Sequence, residues 1–210
     1  NDAIFCVDGG ALLHHFTQTA NLKECQRVIM SSSMESCGIS FASAIGVSLA
    51  KDLKDRQIIA ITDNYGFWKN LAHLSSIRVA GRNVKFVMLR DHRVVETNWN
   101  QDFLYPISKV GADWKIFEQR DPLKAWEGFG LTAISWDGTK QQELRDLLNA
   151  DRHGLLILVE TQGLDVLIPR VAFDVDENGF VNQHNVVNMY PRKELINFGE
   201  FVEGVLNESS

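Results

Sequence analysis

The chain has 210 residues, 21 basic against 27 acidic side chains for a formal charge of −6, and is 45% hydrophobic, 23% charged and 10% aromatic. These values describe a globular protein able to bury a sizeable core and exclude disorder as a global description. With no block of lysine and arginine there is no electrostatic footprint for DNA or RNA, and the apolar runs, such as 84–89 and 154–159, fall far short of the roughly 20 residues that a membrane span needs.

Cys6, Cys25 and Cys37 match no zinc ribbon, no Cys-x-x-Cys pair and no even-numbered disulfide framework, which predicts a reducing, cytoplasmic setting. The sequence begins at Asn1 and enters an apolar run two residues later, without a methionine or a cleavage pattern. A chain trimmed at its start, or the second part of something longer, is therefore expected.

In chain order, residues 3–7, 57–62, 84–89, 132–135 and 155–160 are short β-rich runs that predict buried strands. Helical spacing fills the gaps. His14 and His15 begin a helix after Leu12 and Leu13, residues 41–53 and 66–80 carry apolar side chains at helical period, Pro122 opens a helix with Asp121 as N-cap, and residues 139–149 form a further amphipathic helix. Such alternation predicts an α/β fold, doubly wound, with a mainly parallel sheet and helices on both faces. Ligands of such sheets bind outside the carboxyl ends of the strands.

Beyond Glu160 the pattern changes. Residues 166–175 and 180–189 are β-like around Asp176-Glu177-Asn178-Gly179, followed by a helical stretch over 191–206, which predicts a C-terminal hairpin and helix. The expected organisation is thus a domain over 1–161 with an extension over 162–210 packing on it.

Asp63 and Asp91 each follow a predicted strand, with one helix between them, so two carboxylates are expected at one sheet edge. Hard cations such as Mg²⁺ are held by one or two such ligands together with phosphate oxygens. The simpler reading is that Asp63 caps the following helix and Asp91 is a loop residue. His14, His15 and His73 are expected to serve packing or the surface, whereas His92, between Arg90 and Arg93, suits either a phosphate-facing basic cluster or a solvated loop. Met34 and Cys37 lie just before the helix of residues 41–53. Asp174-x-Asp176-x-Asn178-Gly179 begins like a calcium loop, but Asn185 stands where a bidentate Glu is needed, so a turn is expected. Gly9-Gly10-Ala11-Leu12-Leu13-His14 fails the nicotinamide fingerprint, and neither a Gly-x-Ser-x-Gly elbow nor a His-Glu-x-x-His helix is present.

Cys37-Gly38 running into the small-residue stretch to Gly46, then Ile58 to Asn64, then Asn83 to Asp91, together resemble the diphosphate-binding domain of thiamine-diphosphate enzymes. That family includes acetolactate synthases and 2-oxo acid decarboxylases. It carries a Met-Gly loop entering a helix, Gly-Asp-Gly after a strand, and Asn-Asn after the next. Here Asp63 takes the Asp and Arg90-Asp91 the Asn pair, 28 residues on. Residues 4–10 are similar to the family's first strand and turn, 121–130 to its Ala-Glu-Ala-Phe-Gly helix and 154–160 to its last strand.

The resemblance, over roughly residues 1–161, implies thiamine diphosphate and Mg²⁺ as cofactors. It implies cofactor binding by Gly10, Cys37, Gly38, Thr62, Asn64, Tyr65 and His92, with Cys37 where the family wedges an apolar side chain beneath the cofactor. Metal ligation falls to Asp63, Asp91 and the backbone carbonyl of Arg93; no catalytic residue is implied on this chain. The implied activity is decarboxylation or carboligation of 2-oxo acids. The family's activating Glu comes from a separate pyrimidine-binding domain or subunit, absent here, so a homo- or hetero-oligomer is expected. Thr62 and Asn64 replace the two glycines, and Ala11 and Leu12 stand where the family often has polar contacts. Those departures set up the alternative, a degenerate non-catalytic relative acting as a structural or regulatory subunit.

Overall fold

The apolar runs become one six-stranded parallel sheet in the computed structural model, with strand order β2-β1-β3-β4-β6-β5. The structure describes residues 2–34, 36–53, 56–79, 84–90, 120–161, 170–171, 173–175, 178, 181–183 and 189–190. The strands are β1 (Ile4–Val7), β2 (Arg27–Met30), β3 (Ile58–Asp63), β4 (Val84–Arg90), β5 (Ala133–Trp136) and β6 (Leu155–Glu160). The helices are α1 (Ala11–Thr19), α2 (Ile39–Leu49), α3 (Asn64–Lys69), α4 (Pro122–Gly128) and α5 (Gln141–Asn149). The expected doubly wound α/β fold is present. The chain divides into two compact units, one of Asn1–Glu96 and Ala112–Asp165, the other of Thr97–Gly111 and Val166–Ser210.

Period-two alternation sorts the strand residues onto two faces. Ile58, Ala60 and Thr62 of β3 share a face with Val84, Phe86 and Met88 of β4, all buried. On that face Phe41 of α2, Phe67 of α3, Phe86 and Trp126 of α4 pack together, each under 2% exposed, with ring centroids 5.1 to 6.1 Å apart and mostly edge-on. The Trp126 indole N–H donates to the Gly154 carbonyl at 2.8 Å, so its burial leaves no donor unpaired.

Four local expectations are corrected. β2, an edge strand with alternately exposed residues, has no counterpart among the predicted strands. α2 starts at Ile39 and stops at Leu49, with a 3₁₀ turn at Lys51–Leu53. The single helix expected over 66–80 is α3 followed by a 3₁₀ segment, Leu71–Val79, because Asn70 leaves helical geometry (φ −114°, ψ 21°) and its side-chain amide donates to the Gly66 carbonyl at 2.9 Å. Residues 139 and 140 precede α5 rather than belonging to it.

In the second unit, β7 (Arg170–Val171) pairs antiparallel with β10 (Met189–Tyr190), and β8 (Phe173–Val175) with β9 (Val181–Gln183). The β8–β9 pair brackets Asn178 as a hairpin would, in keeping with the turn reading. The helical stretch expected over 191–206 lies outside the described residues.

Candidate functional site

Because β1 is followed by β2 on one side and the chain then crosses to β3 on the other, the strand order reverses between β1 and β3. A crevice at the carboxyl ends of such strands is where doubly wound sheets take ligands. Asp8 leaves β1 there, and Asp63 ends β3, paired in register with Leu89 of β4.

Asp8 is fully buried. Its backbone N–H donates to the Ile61 carbonyl at 3.0 Å, its Oδ1 accepts the Ser40 N–H in the first turn of α2 at 2.8 Å, and its Oδ2 accepts the Thr62 hydroxyl. Burial pushes the carboxyl pKa up from its ordinary value, while the bonds from Thr62, Ser40 and Gly38 pull it down.

Asp63 is the N-cap of α3: its backbone is extended (φ −101°, ψ −176°) and its Oδ1 accepts the Gly66 N–H at 2.7 Å. Capping, one of the two readings of this residue, is thus realised. Asn64 is the first residue of α3 and lies in its helical backbone, not in a glycine-like conformation. Its side chain is 5% exposed, with Oδ1 accepting the Trp68 indole N–H at 2.9 Å. Thr62 turns its hydroxyl to Asp8 and Asn64 its amide oxygen to Trp68.

Gly66 lies between the two carboxylates. A Cβ there would run into Asp8 Oδ2, sit 2.6 Å from Thr62 Oγ1 and 3.2 Å from Asp63 Oδ1. Gly38 is left-handed (φ 92°, ψ 2°) as N-cap of α2, and a Cβ on it would fall on the Asn70 side-chain amide. Gly10, N-cap of α1, has φ 77° and ψ −154°, a region open to glycine. Cys37 is half-buried, its Sγ 4.0 Å from the Gly9 carbonyl oxygen. Cys6, by contrast, is fully buried and its thiol is pushed up to about 12 by burial. Tyr65 is half-buried beneath Lys69 Nζ, 5.8 Å from its ring centroid.

At the ends of β4 and β6, Arg90 bonds Glu160 at 2.9 Å and the Arg120 carbonyl at 3.3 Å, while the Arg120 guanidinium lies 5.4 Å from the Trp68 ring centroid. Asp91, His92 and Arg93 lie outside the described residues. Gly10, Cys37 and Gly38 are brought to the crevice with Thr62, Asp63 and Asn64. Among the described residues no group of three or more His, Cys, Asp or Glu side chains is arranged to hold a metal.

Sequence reasoning read Asp8 only as a turn residue and assigned no role to Ser40, Gly66 or Asn70. The signal was weak: Asp8 reaches partners 32 and 54 residues away, and Gly66 is required by space, not by a positive φ.

The sequence profile described as "Thiamine pyrophosphate enzyme, C-terminal TPP binding domain" matches residues 8–160. The chain belongs to this family. A solved structure titled "Rhodococcus jostii RHA1 thiamine diphosphate-dependent 4-hydroxybenzoylformate decarboxylase" is similar to it, with a TM-score of 0.59 at 18% identity, covering 78% of this chain and 30% of that one. At that identity the likeness shows the fold, and the chain spans under a third of that decarboxylase's length. No curated protein matches by sequence.

The residues of this thiamine pyrophosphate domain fit the family's cofactor in two respects. α1, a helix of nine residues, starts at the carboxyl end of β1 behind the Gly9-Gly10 turn; the Leu13 N–H donates to the Gly10 carbonyl at 3.0 Å, which leaves the N–H groups of Ala11 and Leu12 as the first-turn donors suited to phosphate. Leu12, at 3% exposed, is turned into the core, so it neither adds to nor obstructs the crevice. Asp63 supplies the hard carboxylate oxygen chemistry that Mg²⁺ takes.

Proposed function

We propose that the chain is the diphosphate-binding part of a thiamine-diphosphate- and Mg²⁺-dependent enzyme that decarboxylates or joins 2-oxo acids, working with a separate pyrimidine-binding domain or subunit. The observation that carries the reading is the position of Asp63, at the carboxyl end of β3, beside the end of β4 and next to the switch point between β1 and β3. When bound, thiamine diphosphate supplies the carbanion chemistry; the protein supplies binding and orientation. Asp63 would hold the metal, with Asp91 and the Arg93 carbonyl as the further ligands that the family resemblance implies. The α1 amides and the Gly9-Gly10 turn would bind phosphate, and Cys37 would pack against the cofactor, with Gly38 and Tyr65 beside it and His92 facing the phosphates. A cytoplasmic setting belongs to the same proposal and is supported by Cys6, Cys25 and Cys37 forming no disulfide.

A second reading, a non-catalytic relative retained for its partner surface, is favoured by one feature. The α1 turn offers Ala11 and a core-facing Leu12 where the family often places polar contacts. The two readings part in a thermal shift and sedimentation experiment. Thiamine diphosphate with Mg²⁺, but neither alone, should raise the melting temperature, and the protein should sediment as a dimer or larger. A monomer whose melting is unmoved by both would leave the non-catalytic reading standing.

A further inference from the structure

We propose that Asp8 is a positioning residue, whose carboxyl fixes the Cys37-Gly38 turn and the Thr62-Asp63 strand end in one arrangement. Its consequence for cofactor binding rests on the function proposed above. Three segments of the candidate site meet on this one side chain. The Cys37-Gly38 turn runs into α2, whose Ser40 N–H is held by Asp8 Oδ1 at 2.8 Å. The residue before Asp63, Thr62, donates its hydroxyl to Asp8 Oδ2. The first turn of α3 lies against the same oxygen at Gly66, whose N–H in turn holds Asp63 Oδ1 at 2.7 Å.

The Asp8 backbone is itself anchored, with its N–H on the Ile61 carbonyl at 3.0 Å. All three groups are buried: Asp8, Ser40 and Thr62 are each 0% exposed. Bulk water does not reach these groups, so on loss of the carboxyl the Ser40 N–H and the Thr62 hydroxyl would need either a newly buried water or new acceptors reached by moving the segments that carry them. The segment freed on one side ends in Cys37; the one freed on the other ends in Asp63.

Shape and charge can be separated by substitution. Asparagine keeps an oxygen for the Ser40 N–H, and its amide can donate to the Thr62 oxygen, whose hydroxyl has the Asp63 carbonyl at 3.3 Å as an alternative acceptor. Alanine keeps neither contact.

The test uses the full chain with Cys25→Ser, because Cys25 is exposed whereas Cys6 is buried and its thiol is pushed up to about 12. The alkylation rate of Cys37 reports the turn without any cofactor; a titration with thiamine diphosphate and Mg²⁺ reports the site. Asp8→Ala should raise the Cys37 rate by about tenfold or more and weaken cofactor binding by at least as much, with an unchanged circular dichroism spectrum. Asp8→Asn should bring both back to within about threefold of the parent, which charge removal alone would not do. Should Asp8→Ala fail to fold, Thr62→Val, which deletes one contact and keeps the branched shape, should give an intermediate Cys37 rate.

Equal Cys37 rates in parent, Asp8→Ala and Thr62→Val would overturn the proposal, as would Asp8→Asn behaving like Asp8→Ala. A parent that binds no thiamine diphosphate while Asp8→Ala still exposes Cys37 would sink the cofactor reading and support the positioning role.

Discussion

Two buried ionisable side chains, one just past β1 and one on β4 with β3 between them in the sheet, end up in different circumstances. Asp8, at the carboxyl end of β1, is met by an N–H and a hydroxyl at close range and has Gly66 packed upon it. Lys85, near the amino end of β4 and 2% exposed, reaches the Arg152 carbonyl only at 3.4 Å, with the charge of Asp151 as further support. Burial works against the charged form of both, raising the acid's pKa and lowering the base's. The contrast teaches where the fold invests its polar contacts. At the carboxyl end a buried carboxyl ties three chain segments together; at the amino end Lys85 reaches towards the exposed Arg152 and Asp151.

The strongest challenge to that contrast is Gly66→Ala. A methyl there would press on Asp8 and sit 2.6 Å from Thr62 Oγ1, so a loss of about 1–3 kcal/mol in denaturant unfolding is expected, opposite in sign to the gain of about 1 kcal/mol that glycine-to-alanine ordinarily gives inside a helix. An unchanged midpoint would show that the carboxyl-end cluster is loosely packed. Asp63→Ala should cost less, about 1 kcal/mol, for the lost cap on Gly66, read by the same unfolding curves.

The two charges should also tilt the pH dependence in opposite senses. For Asp8 the native state keeps a proton that the unfolded chain has lost above about pH 3.8, so this group's stability contribution is full below that pH and falls as pH rises through the native value. Asp8→Asn should therefore remove a downward slope from the acid side of the stability profile. For Lys85 the native state gives up its proton before the unfolded chain does, so its contribution rises as pH climbs towards 10.5. Lys85→Met should remove that upward slope and change stability at neutral pH by no more than about 1 kcal/mol, in the stabilising sense if in either. A large destabilisation by Lys85→Met would make the two ends equivalent and break the comparison.

Most of the sheet was legible because buried parallel strands read as apolar runs, as at residues 155–160, and Asp121-Pro122 announced α4 through cap and first-turn proline. The order of motifs was enough to reach the family. What escaped was whatever depends on contacts across the chain. β2 is four residues at an edge, with too little burial to mark it. The break after Lys69 is made by the Asn70 side chain, which no helical period discloses. Thr62 and Asn64 look in sequence like obstacles in a glycine site, yet their side chains are turned towards Asp8 and Trp68.

The proposed role of Asp63 in a diphosphate site is open to a calorimetric titration of the full chain with thiamine diphosphate, with and without Mg²⁺. Wild type should give a saturable heat that requires Mg²⁺, and Asp63→Ala should abolish it while losing only about 1 kcal/mol of stability. No heat in the wild type, or the same Mg²⁺-dependent heat in Asp63→Ala, would contradict the account.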